Sequence, residues 1–260
     1  MITSLLIIAN FLFANNEIYH HVNIKFDYDN QLLELFQLDI PIDHYQRNKD
    51  NSIDIVLSTS EITILIQNGI NFEVIQDDLT NYFINRSQPS FQRDFPLGSM
   101  LGNYTLNEAI NQMDTLFTLY PEFVSQKDSI GTSIEGRIIW AFKLSDNPSI
   151  NENEPEVLFT GLTHAREPLS MMNLFYFANW LCENYNSDLI ANYLLDNREM
   201  WFIPIINPDG YAYNESISPD GGGMHRKNRR INPSNSNCNS GTQQGVDLNR
   251  NYGHNWGTNN

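Results

Sequence analysis

Alternation of apolar and polar positions divides the chain into two units, and the first covers residues 19–84. Three short segments of this unit alternate as half-buried strands do: 22–26, 53–57 and 70–74. Ser58 and Glu61 form a capping-box pair, which predicts a short helix that ends at Gly69. Apolar residues at helical spacing follow the first strand, and a last short helix follows Asp77. The pattern therefore predicts a small α/β open sandwich.

The second unit covers residues 105–260 and has longer apolar elements. Thr105 and Glu108 form another capping box, and the helix that follows buries one face (Ile110, Met113, Phe117 and Tyr120) and stops at Pro121. A hairpin over 129–144, a buried strand at 157–159, an apolar helix over 172–185 and a buried strand at 201–206 come next. Interleaved strands and helices predict an α/β fold, a mixed sheet with helices on both faces.

The segments outside these units are short. Residues 85–104 are polar, with prolines and glycines, and predict a linker. Arg86 and Arg93 suit a processing protease there, although an ordinary surface linker explains them equally well. Residues 1–14 are apolar and favour a secretory signal cut after Ala14 over a buried element. Three sequons, at Asn85, Asn103 and Asn214, are compatible with secretion.

Composition narrows the classes of partner. The chain has 31 Asp and Glu against 15 Lys and Arg, a net charge of −16, which argues against nucleic acid and anionic membrane surfaces. Its 260 residues are 41% hydrophobic, enough for sizeable cores. Of the two cysteines, Cys182 lies in an apolar helical stretch and is expected in the core, whereas Cys238 lies in a polar loop. His20 and His21 are adjacent on a strand and point apart, and His44 stands in a polar loop.

Candidate chemistry follows the strand at 157–159. His164 and Glu167 stand three residues apart, and Pro168 occupies the first position of the next helix. An imidazole and a carboxylate at the carboxyl end of a strand suit Zn²⁺, which needs one further protein ligand and an open position for water. The alternative is that Glu167 only places a negative charge at a helix N-terminus.

Basic residues cluster further along. Arg226, Lys227, Arg229 and Arg230 fall within five positions of an acidic chain, and Asp247, Asn249 and Arg250 follow in one short segment. A solvated loop explains the cluster, but guanidinium groups also bind carboxylates through paired hydrogen bonds. The sequence leaves both interpretations open.

Taken together, the motifs resemble the zinc carboxypeptidases of the digestive A/B type. The matching segments are 163–168, 207–211, 226–229 and 245–251, in the order of that family. The resemblance implies a zinc-dependent peptidase that removes C-terminal residues. It implies these roles: His164 and Glu167 as zinc ligands, Asp247 as the carboxylate that orients an imidazole, Arg226 as the group that polarises the scissile carbonyl, Asn249 and Arg250 as readers of the terminal carboxylate, and Arg166 as a secondary substrate contact.

The resemblance also implies a secreted precursor, in which residues 19–84 are an activation segment removed by a protease that cuts the linker. In that family the third zinc-binding His, a Tyr over the substrate and the general base Glu lie beyond the position of Arg250, so we expect a C-terminally truncated chain. His254 is not expected to replace the third ligand. A non-catalytic binder of C-terminal carboxylates and, from residues 19–84, an inhibitor of a related enzyme are the alternatives.

Overall fold

The computed structural model describes residues 18–26, 31–42, 45–85, 95–234, 239 and 241–253. The predictions for the signal at 1–14, His44, Arg86 and Arg93, Cys238 and His254 lie outside these residues. The described part contains two hydrophobic clusters, one built from residues 22–72 and one from residues 95–211.

The first cluster lies in a four-stranded antiparallel sheet with short helices. Its elements are β1 (Tyr19–Lys25), α1 (Gln31–Gln37), β2 (Gln46–Arg47), β3 (Ser52–Ser58), α2 (Thr59–Gln67), β4 (Glu73–Gln76) and α3 (Leu79–Asn85). The strand order is β2-β3-β1-β4. Ser58 and Glu61 form both hydrogen bonds of the predicted capping box at the start of α2. The third predicted strand begins at Glu73 instead of residue 70.

The second cluster surrounds a mixed sheet. Its elements are α4 (Leu106–Leu119), β5 (Asp128–Thr132), β6 (Ile138–Leu144), β7 (Glu156–Thr160), α5 (Pro168–Asn184), α6 (Leu189–Asn197), β8 (Glu199–Ile203), α7 (Pro208–Ile217) and 3₁₀ turns at Gly241–Gln243 and Leu248–Arg250. The strand order is β5-β6-β8-β7, with β7 parallel to β8 and the other pairs antiparallel. The predicted mixed sheet with helices is confirmed.

Aromatic side chains join the sheet to α5. Phe142 of β6 stacks on Phe202 of β8 with ring centroids 5.2 Å apart, and Phe175 of α5 stacks on Phe142 at 6.3 Å. Cys182, further along α5, is buried as predicted. Burial of large aromatic rings is a major contribution to the stability of such a core.

A buried ion pair lies on the other face of the same strands. The register pairs Lys143 with Trp201 between neighbours that point into the aromatic core, so these side chains face the opposite way. Lys143 Nζ lies 3.3 Å from the carboxylate of Glu199, and both side chains are at most 3% exposed. Lys143 also donates to the carbonyl oxygen of Ile150, so the loop after β6 covers this face.

The helix α4 confirms one prediction and corrects another. Thr105 and Glu108 form the predicted capping box. Its buried residues are Ala109, Met113 and Leu116, so the face centred on Ile110 and Phe117 was assigned about one position off. Ile110 and Phe117 are only partly buried, because they flank the contact instead of occupying its centre.

Three further features differ from the predictions. The strand at 157–159 was predicted to be buried, but Leu158 of β7 is 61% exposed because β7 lies at the edge of the described sheet. The helix α6 was not predicted. Helix α7, which has Asn207 as its N-cap and Pro208 as its first residue, was not predicted either. None of the helices in the described ranges combines the length and apolar content that crossing a membrane requires.

Candidate active site

The turn between β7 and α5 carries the first two candidate residues. β7 ends at Thr160, and Leu162, which is fully buried, adopts a positive φ of 48°. Its amide donates to Ser170 Oγ at 2.9 Å, which ties the turn back onto α5. A non-glycine residue in this conformation is held there by its surroundings, and such strain is concentrated at functional sites. Pro168 begins α5, as predicted.

His164 and Glu167 face each other across this turn. His164 is 2% exposed, and its Nδ1 lies 3.1 Å and 3.2 Å from the two carboxylate oxygens of Glu167. Glu167 is the N-cap residue of α5, yet its side chain accepts no capping hydrogen bond. Its carboxylate is therefore directed at the imidazole instead of the helix, which disfavours the interpretation of Glu167 as a mere helix-terminal charge.

Asp247 holds the other side of the imidazole. Its Oδ1 lies 3.2 Å from His164 Nε2 and accepts the backbone N–H of Asn249 at 2.9 Å. Its Oδ2 accepts from Arg226 Nε at 2.9 Å. One carboxylate therefore joins the turn after β7 to the loop at residue 226 and to the 3₁₀ turn at 248–250. An imidazole whose second nitrogen is bound this way has a fixed ring orientation.

The local charges set the ionisation of this cluster. Burial disfavours the imidazolium, but the hydrogen bonds with Asp247 and Glu167 outweigh it and raise the pKa of His164 to about 9. Burial likewise opposes ionisation of Asp247, yet His164 and Arg226 lower the pKa of its carboxyl group well below the ordinary value. In the metal-free protein at neutral pH, the cluster is therefore an imidazolium between two carboxylates.

The pair of donors fits a zinc ion. Tetrahedral zinc with bonds of about 2.0–2.2 Å places two ligand atoms roughly 3.3–3.6 Å apart, close to the 3.1 Å and 3.2 Å between His164 Nδ1 and the Glu167 oxygens. A proton on Nδ1 occupies the place that a cation would take. Among residues in the described ranges, no group of three or more His, Cys, Asp or Glu side chains is arranged as a complete metal site.

Arg226 belongs to the same cluster. It is 6% exposed, and its Nη1 lies 3.7 Å from Glu167 Oε1. Its carbonyl oxygen accepts the N–H of Ala165 at 3.0 Å, so the two segments are also joined through their backbones. Burial lowers the pKa of Arg226, Asp247 opposes this effect, and the charge of nearby Arg250 adds to it. Because Arg226 is buried, the interpretation of its segment as a solvated loop is wrong for this residue.

Asn249 and Arg250 lie at the exposed end of the cluster. The backbone N–H of Arg250 donates to the carbonyl oxygen of Asp247 at 3.1 Å, and its Nη1 donates to the carbonyl oxygen of Asn249 at 2.9 Å. Both residues are exposed. The structure thus brings His164, Glu167, Arg226, Asp247, Asn249 and Arg250 to one place, with the guanidinium of Arg250 at the surface.

Arg166 points to a different neighbour. Its guanidinium carbon lies 5.5 Å from the centroid of the Tyr19 ring, which belongs to β1 of the first unit. Tyr19 is 5% exposed and lies within electrostatic range of Arg226. The first unit also contacts the second where Thr80 Oγ1 donates to the carbonyl oxygen of Gly222 at 3.0 Å. The first unit therefore lies against the cluster.

Two residues that support the position of Asp247 were not predicted from the sequence as part of the site. Gly245 has φ of 108°, and a Cβ there would lie 1.8 Å from the carbonyl oxygen of Asn228. The side-chain oxygen of Asn228 accepts the N–H of Val246 at 2.8 Å. Only glycine permits this approach, which places Asp247. A glycine two residues before a candidate carboxylate was the available signal.

Comparison with known proteins places the chain among the zinc carboxypeptidases. The sequence model of the zinc carboxypeptidases (peptidase family M14) matches residues 109–260. A zinc carboxypeptidase of Saccharothrix mutabilis subsp. capreolus is 38% identical over 165 residues, which cover 64% of this chain and 35% of that protein. Metallocarboxypeptidase A of Trichophyton tonsurans is 30% identical over 220 residues, 82% of this chain and 49% of that protein.

Solved structures agree on the fold. Carboxypeptidase A from Helicoverpa armigera superposes with a TM-score of 0.69 at 22% identity, over 94% of this chain and 60% of that one. Thrombin activatable fibrinolysis inhibitor gives a TM-score of 0.65 at 20% identity, over 92% of this chain and 60% of that one.

Fold and sequence together define a metallocarboxypeptidase-type α/β protein. The chain belongs to the zinc carboxypeptidase family. It spans about a third to a half of the length of the two relatives named above.

Proposed function

We propose that the protein is a zinc-dependent carboxypeptidase that removes C-terminal residues from peptides and proteins, and that His164 and Glu167 are two of its zinc ligands. One observation carries the proposal: His164 Nδ1 faces the Glu167 carboxylate while Asp247 binds Nε2 of the same ring. A ligand atom on one side and an orienting carboxylate on the other is the arrangement of metal-binding histidines.

Each residue of the cluster would have a separate role in peptide hydrolysis. A zinc ion at His164 and Glu167 would act as a Lewis acid and lower the pKa of a bound water. When a metal displaces the Nδ1 proton, Asp247 would keep the remaining proton on Nε2, so that the Nδ1 lone pair faces the metal. Arg226, held against Asp247 at 2.9 Å, offers a buried guanidinium to the oxygen of the scissile carbonyl as negative charge develops there.

Recognition of the substrate terminus falls to the exposed end of the cluster. Asn249 and Arg250 present an amide and a guanidinium, which match the planar geometry of a carboxylate. The charge of Arg250 acts on Arg226, and we propose that one peptide contacts both groups. A reader for a free terminal carboxylate beside the metal ligands would restrict cleavage to the last peptide bond. The proposal also requires a third zinc ligand and a general base; among the described residues no third metal-binding side chain completes the site. We further propose that helices cover both faces of the sheet.

Calorimetry tests the metal assignment on the chain as it stands. Zinc is titrated into the wild-type chain, into Glu167→Gln and into Glu183→Gln, a matched control at an exposed glutamate of α5. We expect Glu167→Gln to weaken zinc binding by about tenfold or more, whereas the control binds as the wild type does. Equal zinc affinity in all three chains would exclude Glu167 as a ligand.

Peptide titrations separate the proposal from its alternative. Dipeptides with basic, aromatic or aliphatic C-terminal residues are compared with their C-terminal amides, with and without zinc. Binding that needs a free carboxylate and strengthens with zinc supports the peptidase. Equally tight binding without zinc supports the alternative, a non-catalytic binder that uses Arg226, Asn249 and Arg250. Absence of any preference for the free carboxylate contradicts both.

We also propose that the protein is a secreted precursor in which residues 19–84 are the activation segment and an activating protease cuts the 85–104 linker. The contact between Tyr19 and Arg166 supports this, because Arg166 is the proposed secondary substrate contact. Cleavage at Arg86 or Arg93 by trypsin is expected to strengthen binding of the carboxylate dipeptides. Unchanged binding after complete cleavage would contradict a covering role, and N-terminal sequencing of the exported protein tests the cut after Ala14.

A further inference from the structure

Two asparagines of helix α7 and its N-cap contact the backbone segments that carry the candidate site residues. Asn207 is the N-cap and Asn214 lies seven positions later, about two turns along, so both side chains lie on the same face of the helix. They are 2% and 1% exposed, respectively. Buried amide side chains are costly unless their donors and acceptors are used.

Asn214 uses its amide to join two segments of the site. Its Nδ2 donates to the carbonyl oxygen of Ala165 at 2.9 Å and to that of His225 at 2.9 Å. Its Oδ1 accepts the backbone N–H of His225 at 2.8 Å. Ala165 directly follows His164, and His225 directly precedes Arg226. Asn214, part of a sequon, therefore has its side chain engaged inside the fold.

Asn207 makes a similar pair of contacts, two residues before Ala165 in one segment and two residues after His225 in the other. Its Nδ2 donates to the carbonyl oxygen of Lys227 at 3.0 Å and to that of Thr163 at 3.4 Å, while its Oδ1 accepts the N–H of Gly210 at 3.1 Å. Gly210 allows the close approach, because a Cβ there would lie 2.5 Å from the Lys227 oxygen. The residues around His164 and Arg226 are thus anchored to one rigid helix.

We propose that Asn214 and Asn207 are positioning residues. They set the separation between Arg226 and the turn that carries His164 and Glu167, the metal-ligand turn. Neither side chain touches the proposed zinc or substrate groups; each acts through the backbone of the neighbouring residues. The catalytic meaning of this role rests on the proposed function. The geometric role does not, because it concerns hydrogen bonds within the metal-free chain.

Amide hydrogen exchange of the 260-residue chain tests the geometric role. Asn214→Ala removes the acceptor of the His225 N–H, so its exchange is expected to rise on the order of tenfold. Asn214→Asp keeps an acceptor but loses the donors, so the His225 N–H stays protected while exchange of the Ala165 N–H rises. Asn207→Asp keeps the helix cap and loses only the bonds to Thr163 and Lys227, and exchange of the Ala165 N–H should again rise.

The matched control is Asn197→Ala, whose amide donates to the carbonyl oxygen of Tyr193 within its own helix α6. In this control variant, hydrogen exchange of the Ala165 and His225 amides should equal that of the wild type. Unchanged exchange at both amides in Asn214→Ala overturns the proposal. A rise shared by all amides in both aspartate variants also overturns it, since that result reports global destabilisation only.

Zinc titration supplies the second readout. Asn214→Asp and Asn207→Asp are expected to weaken zinc binding by about tenfold relative to Asn197→Ala, at temperatures where all variants are folded. Altered exchange with unaltered zinc affinity overturns the positioning role. If the wild-type chain binds no zinc, the proposed function fails, and the exchange measurements still decide whether the asparagines hold the two segments together.

Discussion

Asp247→Asn tests the electrostatic core of the site, because the amide keeps the shape of the carboxylate and removes its charge. The rise in the pKa of His164 from 6.5 to about 9 corresponds to about 3 kcal/mol of preference for the imidazolium. Asp247 supplies part of this preference and Glu167 the rest. In the variant, burial opposes the imidazolium and only Glu167 supports it, so we expect the pKa of His164 to fall toward 6.5.

Because the pKa of His164 falls in Asp247→Asn, we expect the free energy of unfolding of this variant to depend on pH differently from that of the wild type. Between pH 6.5 and about 9, the folded wild-type chain keeps a proton on His164 that the unfolded chain has released. Protonated His164 therefore stabilises the folded chain by up to about 3 kcal/mol. This stabilisation is complete below about pH 6.5 and is lost as the pH rises to about 9. Asp247 acts with the opposite sign, since its contribution is present above about pH 4 and is lost as the pH falls.

Urea unfolding at pH 6 and pH 9, with an NMR titration of the His164 ring, measures the effect. Asp247→Asn should be less stable than the wild type at pH 6 by about 3 kcal/mol, because Arg226 loses its buried partner. Its further loss between pH 6 and pH 9 should be smaller than that of the wild type. Asp188→Asn, which retains an amide oxygen at the N-cap of α6, serves as the control. An equal pH-dependent loss in wild type and Asp247→Asn would refute the reasoning.

Three further outcomes follow from the structure. Zinc must displace the proton from His164, so zinc affinity measured by calorimetry should rise about tenfold per pH unit up to about pH 9; a flat profile would contradict a protonated His164. Gly245→Ala should lower the free energy of unfolding by at least about 2 kcal/mol, because its Cβ meets the Asn228 carbonyl and its φ is unfavourable; urea unfolding checks this, and a neutral result would contradict the close approach. Lys143→Met should cost about 3–5 kcal/mol by leaving the buried Glu199 carboxylate without its cation, whereas Lys143→Met with Glu199→Leu should recover part of this loss, because the Glu152 N–H then loses its acceptor; equal losses in the single and double variants would show that the pair is not coupled.

Local signals in the sequence predicted the elements that local chemistry determines. Both capping boxes and Pro168 at the start of α5 depend on residues within a few positions of one another. The exposure of Leu158 could not be predicted in this way, because it depends on which strands pair with β7 and not on the strand's own composition.

The candidate site also contains some residues that the local sequence predicted and others that it could not predict. His164 and Glu167 are close in sequence, so a turn was enough to suggest their meeting. Asn214 bonds to Ala165, which is 49 positions away, and nothing in the local pattern around Asn214 indicates that partner. The sequon at Asn214 indicated only compatibility with secretion, whereas the amide side chain of Asn214 forms hydrogen bonds inside the fold.

The position of β7 at the margin of the described sheet has a thermodynamic consequence for the site. Among the described strands β7 pairs with β8 alone, and the metal-ligand turn begins where β7 ends. A further strand aligned along that margin would stiffen the turn, and a cation seated in the turn would in return favour the alignment, by the same factor. Pairing of a strand with β7 and binding of a metal in the turn would then be thermodynamically coupled.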